Sequence, residues 1–133
     1  MDLGTGTGVL AILAEKMGAT DILAIDNDSA AVENSIENAE LNSCTKIDIR
    51  LGDVTEVMDE LSKSDVVLAN INRNVLIELE PVLSVAAKPG TKLLLSGVLQ
   101  KDKQLILDQY ANHWRPEIYS QRGDWVCIYG KKL

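Results

Sequence analysis

The chain has little from which to build a metal centre or a disulfide framework: one histidine and two cysteines in 133 residues. Cys44 and Cys127 stand far apart in no C-x-x-C or other metal spacing, and a chain of this length folds without a cross-link. They read as free thiols in a reducing cytoplasm, and the pattern argues against a zinc site. His113 reads as a solvated residue at a helix end. No apolar run approaches the ~20 residues that span a bilayer, and Met1 is followed by an acid and glycines instead of the basic, apolar stretch of a secretory signal. Positive charge is also scarce, with 13 Lys and Arg against 20 Asp and Glu for a net charge of -7. Tight nucleic-acid binding, which needs clustered bases to neutralise phosphates, is therefore disfavoured. The acidity serves solubility or a basic partner, and composition does not separate the two. No repeat or low-complexity linker interrupts the chain, so residues 1–133 read as a single domain.

What is present begins at once. Asp2-Leu3-Gly4-Thr5-Gly6-Thr7-Gly8 runs into the apolar, helix-patterned segment from Val9 to Met17. A strand end, a glycine turn and a helix start bring backbone N–H groups close to a ligand and aim a helix N-terminus at any negative group it carries. A nucleotide-like cofactor fits such a turn. A dinucleotide fingerprint, G-x-G-x-x-G, would need a third glycine where Val9 stands; the spacing here is G-x-G-x-G behind an acid.

Apolar runs then alternate with amphipathic helical patterns, the mark of a mostly parallel sheet with helices on both faces. The first helix is expected to bury Leu10, Leu13, Ala14 and Met17 and to stop at Gly18. A short buried strand, Ile22 to Ile25, ends in Asp26, and Asp28 or Ser29 caps a second helix with Val32, Ile36 and Ala39 inward. Ile47, Ile49 and Leu51 alternate along a third strand that leads to Gly52-Asp53 and a short helix carrying Val57 and Leu61. A fourth strand ends at Asn70. A helical stretch from about Asn74 to Ala87 follows, in which Pro81 marks a kink or a new start. Pro89-Gly90 turns into a fifth strand, Leu93 to Ser96, before a helix near Asp102 to Asn112. Ile118-Tyr119 and Trp125 to Tyr129 then flank Gln121-Arg122-Gly123-Asp124 with no helix between, which predicts a closing antiparallel hairpin. The fold class is α/β: a doubly wound, mostly parallel Rossmann-like sheet with a C-terminal antiparallel hairpin. Only Met1, Asp2 and Leu3 precede Gly4, too few for a first strand, so the chain is expected to be N-terminally truncated.

Ligands of a doubly wound sheet bind beyond the carboxyl ends of its strands, and each candidate residue lies at such an end. Asp26 follows the glycine turn at the interval expected of an acid that receives ribose hydroxyls, since a carboxylate accepts two bonds from a vicinal diol. Asn27 and Asp28 either contact an adenosine or cap the second helix, and capping is the favoured reading. Asp53 ends the third strand in Gly52-Asp53-Val54, where Gly-Asp is also an ordinary turn. Asn70 either meets a substrate or caps a loop.

The opening motif resembles the first motif of class I S-adenosylmethionine (SAM) methyltransferases, in which the acid and glycines, here Asp2, Gly4 and Gly6, embrace the methionine half of the cofactor. Ala24-Ile25-Asp26-Asn27-Asp28, Glu37-Asn38-Ala39, Leu68-Ala69-Asn70-Ile71, Leu95-Ser96-Gly97 and Gly123-Asp124-Trp125 extend the likeness. Together they resemble the ribosomal protein methyltransferases of the PrmA type, which modify protein eleven of the large ribosomal subunit on lysine side chains and the terminal amine. The resemblance implies Gly4, Asp26 and Asn70 as SAM-binding residues, and Asp53 as an acid facing the adenine. It implies Asn70 as the residue that meets the substrate nitrogen. Several amino-directed methyltransferases carry Asn-Pro-Pro-Tyr at that strand end. Here Ile71, Asn72 and Arg73 follow Asn70, so the acceptors survive without the aromatic platform, which points to an aliphatic amine. The implied partner is a ribosomal protein gripped through an N-terminal domain outside this chain. A SAM-binding domain without turnover, and a methyltransferase for RNA or a small amine, are the competing readings.

Overall fold

The computed structural model describes residues 1–133, which divide into two units, Met1–Val57 and Met58–Leu133. In the first, β1 (Asp2–Leu3), α1 (Val9–Lys16), β2 (Ile22–Asp26), α2 (Ser29–Leu41) and β3 (Ile47–Leu51) are followed by a 3-10 turn, Val54–Val57. The strands lie in the order β3-β2-β1, all parallel. Ile22 to Ile25 are all buried, as a strand covered on both faces requires. Ala11 of α1 packs on Ile22 and Ala24, with Ala14, Ala19, Ile47 and Ile49 around them. Gly18, at φ 102, ends α1, where left-handed backbone returns N–H groups to the last turn.

Three expectations are corrected in this unit. Asp2 and Leu3 do form a short strand, in register with Ala24 and Ile25, and the N–H groups of Gly4 and Thr5 both continue onto the Ile25 carbonyl. Leu13 and Met17 are 52% and 79% exposed, and Ala11 is the residue that faces the strands. Residues 9–14 are uninterruptedly apolar, so a helical period selects no face among them. On α2, Ser35 and Ala39 are buried while Ile36 is exposed, and on β3 Leu51 is exposed.

The second unit holds α3 (Met58–Lys63), β4 (Val66–Asn70), α4 (Arg73–Ala86), β5 (Lys92–Leu99), a 3-10 turn at Gln100–Asp102, α5 (Lys103–Tyr110), β6 (Trp114–Arg122) and β7 (Trp125–Lys132). Its order is β4-β5-β7-β6; β4 and β5 are parallel, and β7 runs antiparallel to both its neighbours. The closing hairpin is thus present, with Gly123 at φ 58 in its tight turn. α4 continues through Pro81, which stands on the exposed face. Val67, Leu76, Leu83, Leu95, Val98, Ile106 and Trp114 fill the core. Glu80 is buried among them. It accepts from the Ser84 hydroxyl, and His113 Nδ1 lies 3.1 Å from it, so His113 is exposed on one side and engaged on the other. Trp114 Nε1 donates to Ser84 Oγ at 3.1 Å, and the Tyr110 hydroxyl to the Leu76 carbonyl at 2.8 Å. Each buried polar group thereby has the partner that burial demands. Cys44 and Cys127 are free thiols, and no helix is long and apolar enough to cross a membrane.

Candidate functional site

The glycine turn is built by three left-handed residues in alternation, Gly4, Gly6 and Gly8, at φ 66, 57 and 78. Side-chain-bearing residues rarely hold that conformation. A Cβ on Gly8 would stand 3.1 Å from Ser35 Cβ, whereas one on Gly6 would meet nothing within 4 Å. Gly8 therefore lets α1 and α2 approach, and Gly6 leaves an open backbone face. Asn38 Nδ2 donates to the Thr7 carbonyl at 2.8 Å and ties α2 to the turn.

Four of the N–H donors of this turn are held within the protein. Gly4 and Thr5 donate to Ile25 O at 2.9 and 3.1 Å, and Gly8 to Thr5 O at 2.9 Å. Gly6 donates to Asp26 Oδ2 at 2.9 Å. Asp2, buried beneath, accepts from Thr5 Oγ1 at 2.7 Å and from the backbone N–H of Ala11, so a carboxylate of the chain already meets the positive end of α1. Burial raises the Asp2 pKa, opposed by the Thr5 hydroxyl. The N–H groups of Gly4, Thr5, Gly6 and Gly8 thus face acceptors of the chain itself, and Asp2 stands at the α1 N-terminus.

Asp26, at the end of β2, also accepts from the Asp28 N–H through Oδ1, at 3.0 Å. Each of its oxygens thus accepts one bond and keeps acceptor capacity for another, which suits a vicinal diol. Asp28 caps α2 through Ala30 N at 2.9 Å. Gly52 N donates to Asp26 O at 2.9 Å, which brings the Gly52-Asp53 turn beside Asp26. Asp53 Oδ1 accepts from Thr55 N and Oγ1, and Asp53 N donates to Glu56 Oε1 at 2.9 Å. This is a reciprocal cap of the turn, signalled in the sequence by acid-x-x-Glu. Asp53 Oδ2 lies outside it.

In the second unit Asn70 ends β4 opposite Ser96, exposed. Asn72 Oδ1 caps α4 from the N–H groups of Asn74 and Val75 at 3.1 and 3.2 Å, and Arg73 pairs with Asp102 at 2.8 Å. Of the acceptors expected at this strand end, Asn72 is consumed by the helix and Asn70 is not. No group of three or more His, Cys, Asp or Glu is placed to hold a metal ion. Sequence reasoning attached no role to Thr5, Ser35 or Asn38. Thr5 and Ser35 bond locally, to Asp2 and the Val32 carbonyl, and only Asn38 reaches its partner Thr7 by tertiary approach.

The family model for ribosomal protein L11 methyltransferase (PrmA) matches residues 1–133. A ribosomal protein L11 methyltransferase of Dechloromonas aromatica is 40% identical over 133 residues, 99% of this chain and 43% of that protein. One from Bordetella parapertussis is 36% identical over 132 residues, 99% of this chain and 41% of that protein. The chain spans about two fifths of the length of the curated relatives it matches. The crystal structure of a ribosomal protein L11 methylase from Lactobacillus delbrueckii subsp. bulgaricus aligns with a TM-score of 0.88 at 28% identity, over 98% of this chain and 68% of that one.

Proposed function

Because the chain belongs to the ribosomal protein L11 methyltransferase (PrmA) family, with its α/β class I methyltransferase fold, we propose that it is the SAM-binding part of a protein N-methyltransferase acting on lysine or terminal amines of that ribosomal protein. The observation that carries the reading is the state of the glycine turn. Its N–H groups at Gly4, Thr5, Gly6 and Gly8 are all taken within the protein, and Asp2 and Asp26 flank it. A pyrophosphate needs free backbone donors; a turn open at Gly6 with acids beside and beneath it suits a ligand that carries a sulfonium and an ammonium group.

The residues fit SAM. Asp26 takes the ribose hydroxyls, and Gly4 and Gly6, propped by Asp2, underlie the methionine end. Asp53 Oδ2 is assigned to the adenine amine. Bound there, SAM supplies a methyl group activated by a sulfonium. The protein's task is alignment and exclusion of water. Asn70, whose amide accepts no bond from the chain, orients the substrate nitrogen. No side chain is assigned as general base: a lysine ammonium, of reference pKa about 10.4, loses its proton to water, and burial disfavours its charged form. Recognition of the ribosomal protein is assigned to parts of the enzyme outside residues 1–133.

Incubation of the full-length protein with labelled SAM and ribosomal protein L11, followed by peptide mass mapping, tests the reading. Methyl groups on lysine Nζ or the terminal amine are expected, at a far lower rate from residues 1–133 alone. Transfer to ribosomal RNA or to free small amines, with none to the protein, overturns it.

A further inference from the structure

Gly97 meets two demands at once. Its φ is 77, and a Cβ there would stand 2.7 Å from the carbonyl oxygen of Ile71 and 3.1 Å from Asn70 Oδ1. The first distance is closer than any side chain tolerates, and the obstacle is backbone. The sheet brings it there through a bulge. Leu95 faces Ile128 and Val98 faces Val126, so Ser96 and Gly97 together oppose Cys127, and the extra residue bends β5 at the level where β4 ends. Asn70 is the last β4 residue in register, opposite Ser96. No hydrogen bond within the protein holds its amide, so a Cβ at Gly97 would crowd a side chain that nothing else ties in place by a polar contact.

We propose that Gly97 is a positioning residue for methyl transfer: its bare Cα seats the Ile71 carbonyl and the Asn70 amide oxygen, and so sets the direction in which Asn70 meets the substrate nitrogen. This rests on the role given to Asn70 above. A group placed about 1 Å from its productive position loses up to about a hundredfold in rate. Gly97→Ala in the full-length protein is expected to lower kcat by about ten- to a hundredfold, with SAM affinity little changed.

Gly90 supplies the control, since its φ is 90 and a Cβ there meets nothing within 4 Å. Gly90→Ala carries the same backbone strain and is expected to keep kcat. In an Asn70→Ala background, itself slow, Gly97→Ala is expected to add little, because its effect passes through the amide. A Gly97→Ala enzyme at the wild-type rate, or one whose loss adds in full to that of Asn70→Ala, overturns the proposal while leaving Asn70 its role. Asn70→Ala at the wild-type rate overturns that role and this proposal with it. Misfolding of Gly97→Ala where Gly90→Ala folds leaves Gly97 a purely structural residue and refutes the inference.

Discussion

Replacing Asp26 with alanine tests the cofactor assignment most directly. The carboxylate already accepts the N–H groups of Gly6 and Asp28, at 2.9 and 3.0 Å, and the ribose of SAM would add two charge-assisted bonds. Such bonds contribute about 1.5–3 kcal/mol each. Asp26 is half-buried, which places the value at the lower end, about 3 kcal/mol for the pair. At ~1.4 kcal/mol per decade, that is roughly a hundredfold in Kd. The variant also frees the Gly6 N–H, at a cost of about 1 kcal/mol and a few degrees of Tm. Calorimetric titration of full-length wild type and Asp26→Ala with SAM and with its demethylated product reads the binding loss, and thermal unfolding of the same samples reads the structural one. Asp26→Asn separates them further. It keeps the size and one acceptor but turns an NH2 toward a backbone donor, so most of the affinity loss should persist. A cooperatively melting Asp26→Ala protein with wild-type affinity would refute the reasoning and leave Asp26 as the anchor of the glycine turn alone.

Two predictions concern stability. Gly8→Ala and Gly18→Ala both place a side chain at positive φ, a cost of about 1–2 kcal/mol, but only at Gly8 does the new Cβ meet a neighbour, Ser35. Urea unfolding should therefore show the larger loss at Gly8, and equal losses would refute the close approach of α1 and α2 there. Glu15 accepts the N–H groups of Thr45 and Lys46 at 3.0 and 2.9 Å, and the bond from Thr45, seconded by that from Lys46, lowers its pKa. The native state thus binds fewer protons than the unfolded chain in the acid range, so this contribution rises with pH. It is complete above the ordinary glutamate range and is lost as pH falls through the lowered native value. Glu15→Gln should be less stable than wild type near neutrality, with the two stability curves converging in acid; a gap that widened on acidification would contradict the linkage.

Much of the architecture is legible in the sequence because its signals are local. Ile22 to Ile25 can only be a strand buried on both faces, and the acid that ends it is where a ligand reaches. The Pro89-Gly90 turn and the Gly123-Asp124 hairpin follow from turn chemistry. The face of α1 is not legible, because six consecutive apolar residues offer a helical period no contrast. Nor is β1, whose two residues gain their pairing from β2 and not from their own propensity. In the site, Asp26 and Asn70 are marked by position at strand ends, and the cap between Asp53 and Glu56 by spacing. The bond from Asn38 to Thr7 joins residues 31 apart, and the contact of Gly97 with Ile71 depends on a bulge, so both follow from tertiary approach alone.

β6 closes the strand order of its unit with one side of its backbone unpaired, and such an edge is a template on which another chain can add a strand. The chemistry along it opposes this. Pro116 has no N–H to offer an incoming strand, Arg115, Glu117 and Arg122 place both signs of charge along its length, and the register shift between Ile118 and Ser120 breaks the regular spacing that a second copy would have to match. Exposed Ile118 and Tyr119 lie at that break, so the stretch richest in apolar surface is also the one least able to extend a ladder. Solubility of this part of the protein is therefore guarded by backbone irregularity as well as by charge, and substitutions that straightened β6 would bring concentration-dependent self-association without touching the site.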